Sequence, residues 1–391
     1  MFLTSLVLTA LASFPVCLTA GEAGNVGVAS RLTPLSGIYV NMRIPETAED
    51  LARLTNALAQ HPHVTGLLLS MPWKDIEPAE GQYHWQNLDR LLTALGRAGK
   101  QYKFKVMPGI YAPEYIYQSG AKRFDTLIAN VNRASYGEAT VIPVPWDPGY
   151  QKHFSRLIRM LGQRYSKDPH CVAVTLSCAN YQSAEMHLPK SPQDMAKWKQ
   201  LGLTAERLLQ VYRQYLDEWA AAFPNQMVCL HMSKTTHLEE MEGDAFIEQI
   251  VLYGLSRYPR QFSLQSNGLN GRKERDQQAS DPLIKFKDRL HNGFQNFASF
   301  ATNPQRQGSV EMAVLNYIRA DAEYWEMGES DGFNAEVCAK LSASLAQARK
   351  LGYAAYKQRL IESGQYRRAE DDPWPQLRDQ MQKKKDQSSA K

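Results

Sequence analysis

From Gly37 onward, short β-branched apolar runs alternate with longer stretches in which apolar residues recur every three or four positions. That alternation predicts βαβ units and a parallel sheet. The runs predict strands at Gly37–Met42, Val64–Ser70, Tyr102–Met107, Val172–Leu176, Met227–His231 and Phe262–Gln265. Between them, Leu51, Leu54 and Leu58 share one helix face behind a Thr47 cap, and Leu88, Leu91, Leu92 and Leu95 another that stops at Gly99. Further faces run through Phe154, Leu157, Ile158, Leu161 and Tyr165, then Leu208, Tyr212, Leu216 and Trp219.

Later, a helix is expected around Phe294–Phe300, a seventh strand through Gly308–Met312 and an eighth at Tyr324–Met327. The seventh unit is short, since few residues separate Glu311 from Tyr324 for a crossover helix with its loops. The expected fold class is therefore α/β, a (β/α)8 TIM barrel over residues 35–355, with long loops on one face. A proline-containing stretch before Tyr150 reads as a wall of that mouth. Residues 356–391 read as a charged extension, disordered past Trp374.

The length of 391 residues holds one such barrel with loops and tails. A net charge of +5 is small for this length, and much of it sits in Lys383, Lys384, Lys385 and Lys391. That argues against a nucleic-acid surface. Residues 1–20 form a broken apolar segment with small-residue sites near Ala12 and Ala20, which predicts a cleaved signal peptide and export to the periplasm or beyond. No other run is long enough for stable membrane insertion. The five cysteines form neither a disulfide framework nor a C-x-x-C pair, and no clustered His or Asp at strand ends suggests a metal. No cofactor is expected. Nothing in the pattern sets the oligomeric state.

Candidate chemistry gathers where strands end, because barrel active sites are built there. The stretch Val172–Pro189 runs from a buried strand into a polar loop carrying Glu185 and His187. Glu311 sits on the expected seventh strand, across the barrel from the fourth. Two opposed carboxylates are what glycosidic cleavage needs, one protonating the leaving oxygen and the other attacking the anomeric carbon or activating water. Glu326, on the eighth strand, competes with Glu311 for the nucleophile. Glu77 reads as pinning its loop and Glu114 as exposed. Asn41, His231 and Asn267 each end a strand and can hydrogen-bond sugar hydroxyls, whereas Trp73, Trp146 and Trp325 are stacking platforms or core.

The segment Trp73-Lys74-Asp75-Ile76-Glu77-Pro78, with Gly81, Tyr83, Trp85, Leu88 and Asp89, resembles a signature after strand two in one glycoside-hydrolase clan. That clan holds the cellulases of family five and the bacterial beta-galactosidases of family forty-two. Pro145-Trp146-Asp147 and Arg164-Tyr165 are similar to its approach to strand four. The resemblance covers about Ser36–Leu188. It implies a retaining glycosidase acting on a carbohydrate, with Glu185 as acid/base, Glu311 as nucleophile and Asn180 against the sugar. The clan places Asn and Glu side by side after strand four. Here Asn180 is followed by Tyr181, and Glu185 comes later, so the alternative is a barrel that binds carbohydrate without cleaving it.

Overall fold

The computed structural model describes residues 32, 35–130, 133–233, 238, 241–275 and 281–389. The expected signal peptide lies outside them. Ten strands appear in chain order: β1 (Gly37–Arg43), β2 (Val64–Pro72), β3 (Gln101–Met107), β4 (Arg123–Leu127), β5 (Ala139–Pro143), β6 (Cys171–Thr175), β7 (Met227–Met232), β8 (Phe262–Leu269), β9 (His291–Asn296) and β10 (Ala322–Gly328). Eight close a parallel barrel in the order β1-β2-β3-β6-β7-β8-β9-β10, with β10 returning to β1. The fold is a (β/α)8 barrel, as the alternation predicts. The remaining two, β4 and β5, form an antiparallel hairpin between β3 and β6, inside the stretch expected to wall the mouth.

Helices cover the barrel with the faces their spacing predicts. The helix Pro148–Tyr165 starts on Asp147, whose carboxylate accepts from the backbone N–H of Gly149 and Tyr150, with proline in the first turn. Its Tyr150 and Phe154 pack against Trp73 at 6.2 and 5.2 Å between ring centroids. Each such side chain contributes about 1.5–3 kcal/mol by leaving water. Inside the barrel, Leu35, Tyr39, Ala173, Met227, Cys229 and Tyr324 form a separate apolar plug at the N-terminal end of the strands. Above that plug the interior turns polar.

The seventh strand is not where the apolar pattern put it. Gly308–Met312 is the start of a helix, Val310–Arg319, capped by Ser309 Oγ accepting from Met312 N at 3.2 Å. The true strand, β9, reads HNGFQN and has one large apolar residue, Phe294. The positions flanking Phe294 on its outward face are asparagines. Asn292 Nδ2 donates to the Leu283 and Ala320 carbonyls, both at 3.0 Å, and Asn296 accepts from Trp325 Nε1 at 2.6 Å. Polar side chains that bond backbone, indole and carboxylate groups have taken the places apolar ones usually fill, and the helix expected around Phe294–Phe300 gives way to β9.

The C-terminal extension is ordered and clasps the barrel. The carboxylate of Glu274, in the loop after β8, accepts from Lys357 Nζ at 2.8 Å and from the hydroxyls of Tyr353 and Tyr366. Arg272 pairs with Asp372 at 2.9 Å, and Trp374 lies against Arg272 and Arg306. Past Trp374, where disorder is expected, a helix runs Trp374–Ser389. Among the described residues, no helix is long and apolar enough to cross a membrane.

Candidate active site

The loop after β6 is shaped by Asn180. Its Oδ1 accepts from Cys178 N at 2.7 Å and its Nδ2 donates to the Glu185 carbonyl at 2.8 Å. The intervening residues therefore fold back, and Met186 N reaches the His231 carbonyl on β7 at 3.1 Å. Tyr181, the residue after Asn180, turns away: its hydroxyl bonds the backbone of Leu127 and Ala129 next to the hairpin. Glu185 is thereby the carboxylate this loop offers to the mouth. Its Oε1 accepts from Asn267 Nδ2, at the end of β8, at 2.9 Å, and its side chain is 30% exposed.

His187 Nδ1 lies 3.9 Å from Glu185 Oε2 and has no hydrogen-bond partner. Burial pushes its imidazole below the ordinary value, and Glu185 only partly opposes that. His187 is thus neutral at pH 7.

The other strand ends complete a polar interior. Ser70 Oγ donates to Asn41 Oδ1 at 2.6 Å, and Lys105 Nζ donates to the same oxygen at 3.2 Å. His231 Nε2 meets Thr175 Oγ1 at 3.3 Å. Full burial, with Lys103 and Lys105 adding to it, holds His231 neutral, well below the usual range. Gln265 Nε2 donates to Asn267 Oδ1 and to Glu326 Oε2, both at 2.7 Å. Lys103 Nζ donates to Glu326 Oε1 and sits 4.0 Å from the Tyr324 ring centroid. On β9, a Cβ at Gly293 would collide with the inward Tyr324 ring, so Gly293 faces inward. Gln295, two residues on, shares that face at the C-terminal end of the strand. It lies opposite Glu326 in register, and its Oε1 has no partner.

Asn41, Asn180, Glu185, His231 and Asn267 are therefore brought together at or beneath one mouth. Three other residues are placed elsewhere. Glu311 lies in the first turn of a helix that covers the barrel, so it does not face Glu185 from a strand end. Trp73 is fully buried in the outer core. Trp325 is buried against Tyr317, at 5.1 Å, outside the barrel wall. Both tryptophans lack an exposed face on which a sugar could stack. Glu326 does point inward, but it is sealed from solvent and both its oxygens are engaged.

Sequence reasoning missed Lys103, Lys105 and Gln295. A signal existed for the first two: in YKFKVM the lysines alternate with apolar residues, which puts both on the same side of one strand.

Beside the mouth lies a cavity of about 900 Å³ between the β4–β5 hairpin and the loop after β6, walled by Glu185, His187, Gln182, Arg133 and Lys190. Its size suits a ligand of several rings. Among the described residues, no group of His, Cys, Asp or Glu could hold a metal ion.

A beta-galactosidase family model, glycoside hydrolase family 42, matches residues 46–201. The chain resembles this family. The match spans β2, β3, the hairpin and β6 together with Glu185. Among solved structures, a polyextremophilic beta-galactosidase from the Antarctic haloarchaeon Halorubrum lacusprofundi aligns with a TM-score of 0.51 at 13% identity. That alignment covers 81% of this chain and 58% of the haloarchaeal one. The beta-galactosidase of the psychrophilic Marinomonas ef1 aligns at 0.49 with 11% identity, over 82% of this chain and 61% of its own. The catalytic domain of a beta-amylase from Paenibacillus polymyxa aligns at 0.49 with 8% identity, over 83% and 100%. At 13% identity the likeness to the haloarchaeal enzyme is one of fold, and this chain spans little more than half its length. No curated sequence matches the chain. The family match and the barrel together support a glycosidase-type scaffold.

Proposed function

We propose that the mouth around Glu185 binds a carbohydrate on a glycosidase-type barrel without the opposed glutamate pair of a retaining mechanism. The observation that carries this reading is Gln295. It occupies the inward, C-terminal position of the seventh barrel strand, where the resemblance calls for a nucleophilic carboxylate. An amide cannot attack an anomeric carbon as a carboxylate does, but it can donate to and accept from sugar hydroxyls. Asn41, Asn267 and Gln295, with Glu185, give the mouth the mixed donors and acceptors that a polyhydroxyl ligand needs.

A second reading, hydrolysis, is favoured by Glu185 itself. It is half-buried, oriented by Asn267 and well placed to transfer a proton to a leaving oxygen. One experiment separates the two: a glycan panel scored both for binding and for released sugar, on wild type, Glu185→Gln and Gln295→Glu. The expected result is saturable binding without product by wild type, and binding weakened about tenfold in Glu185→Gln, roughly one charge-assisted hydrogen bond. Turnover by wild type that Glu185→Gln abolishes would replace the first reading with the second. Onset of turnover in Gln295→Glu would strengthen the first.

We also propose export, since a glycan-binding barrel behind a signal-like segment fits a ligand outside the cytoplasm. Mass determination of the mature N-terminus tests it.

A further inference from the structure

The two interior lysines of β3 have different surroundings. Lys103 has a counter-ion, Glu326, and both are sealed. Among the described residues, Lys105, one step nearer the mouth on the same face, has only the neutral Asn41 amide oxygen at 3.2 Å and no carboxylate within ion-pair distance. A buried cation without a counter-ion is costly, and an apolar side chain of similar length would pack there at less expense. The position keeps a charge that the protein alone does not neutralise.

The charged and titratable groups facing Lys105 from each neighbouring element are accounted for. Glu326 on β10 is matched by Lys103. Glu185, from the loop after β6, is held by Asn267 and partly solvated. Arg43 at the end of β1 reaches out to Asp75 at 3.3 Å, with both side chains 56% exposed. His231 on β7 is neutral. Lys105 itself lies beneath half-buried Asn41, retaining 7% of its surface exposed.

We propose that the carbohydrate taken by this mouth carries a carboxylate, as a uronic acid does, and that Lys105 is the residue that recognises it. The inference rests on the carbohydrate reading above and names the substrate class of the same site. A sugar carboxylate reaching past Asn41 completes the ion pair that the fold leaves open, while the amides of Asn267 and Gln295 take hydroxyls. Burial lowers the Lys105 ammonium to about 8, with Glu326 and Glu185 partly opposing the shift. The group is therefore charged at neutral pH and loses its charge just above it.

The test is calorimetric titration of the full chain with oligogalacturonate, oligoglucuronate and their neutral counterparts from pH 6.5 to 9.5. Wild type, Lys105→Met and Lys105→Gln are compared. The expected result is preference for the acidic oligosaccharides of about tenfold or more at pH 7, falling by about tenfold per pH unit above 8. In either variant that preference disappears while neutral binding persists. Should a variant fail to fold, the wild-type preference and its pH profile decide alone. Equal binding of acidic and neutral sugars, or preference that survives the loss of Lys105, overturns the inference and leaves carbohydrate binding standing. No binding of either kind overturns both.

Discussion

The corner after β2 and the corner after β9 sit at the same end of one barrel and are held by different means. After β2, Glu77 is fully buried and gathers Trp73 Nε1 at 3.0 Å, Gly81 N at 2.9 Å and Arg156 Nη2 at 2.6 Å. Two of its three partners lie within four residues in sequence. After β9, Asp331 gathers Asn296 Nδ2 at 2.8 Å, Ser299 Oγ at 2.7 Å and the N–H groups of Phe300 and Ala301. All of those lie about thirty residues away. A corner tied by near neighbours leaves a compact motif, whereas one tied by distant partners leaves scattered polar residues that resemble any loop.

The largest effect should come from the local corner. Glu77→Ala leaves the Trp73 and Gly81 N–H groups without their acceptor, while Arg156 keeps Glu80, so it should lower unfolding stability by about 3 kcal/mol in denaturant titration. A loss under 1 kcal/mol would mean that the corner is held by its aromatic packing instead. Next, Asn292→Ala should cost about 2 kcal/mol, because two buried carbonyls lose their donor. If Asn292→Leu restores stability, an apolar outward face would serve β9 equally well and the contrast between the corners weakens.

The smallest effect concerns Lys105. Its folded value of about 8 lies below the ordinary 10.5, so the unfolded chain binds more protons between those values. Stability therefore rises as pH climbs from 8, by up to about 1.4 kcal/mol per unit. Wild type should accordingly gain about 1–2 kcal/mol relative to Lys105→Met between pH 8 and 9.5. Tyrosines whose values are raised by burial act in the opposite direction at higher pH, and both proteins share them.

Seven of the eight barrel strands were legible in the sequence, six marked by apolar runs and β10 by the pair Tyr324-Trp325. The first six lie within a residue or a few of the expected bounds. β9 was not, since Asn292 and Asn296 satisfy backbone and indole groups where Val or Ile would ordinarily fill space. Losing that strand also misplaced Glu311, which was set opposite Glu185 only through it. At the fourth strand, the separation of Asn180 from Glu185 was visible. The fold-back that reunites the Asn180 side chain with the Glu185 backbone was not, because it depends on Asn267 and His231 from two later strands.

The clasp formed by Glu274, Arg272, Asp372 and Trp374 gives the mouth an order in time. A chain leaving the ribosome exposes all eight strands before Tyr353, Lys357 and Tyr366 emerge to hold the loop after β8. Until then that loop is held by earlier partners, with Asn316 Nδ2 donating to the Asn270 and Lys273 carbonyls and Gln307 Nε2 to that of Leu269. The barrel can therefore close with its β8 loop already seated, and residues 353–374 add the ion pairs at Glu274 and Arg272 afterwards.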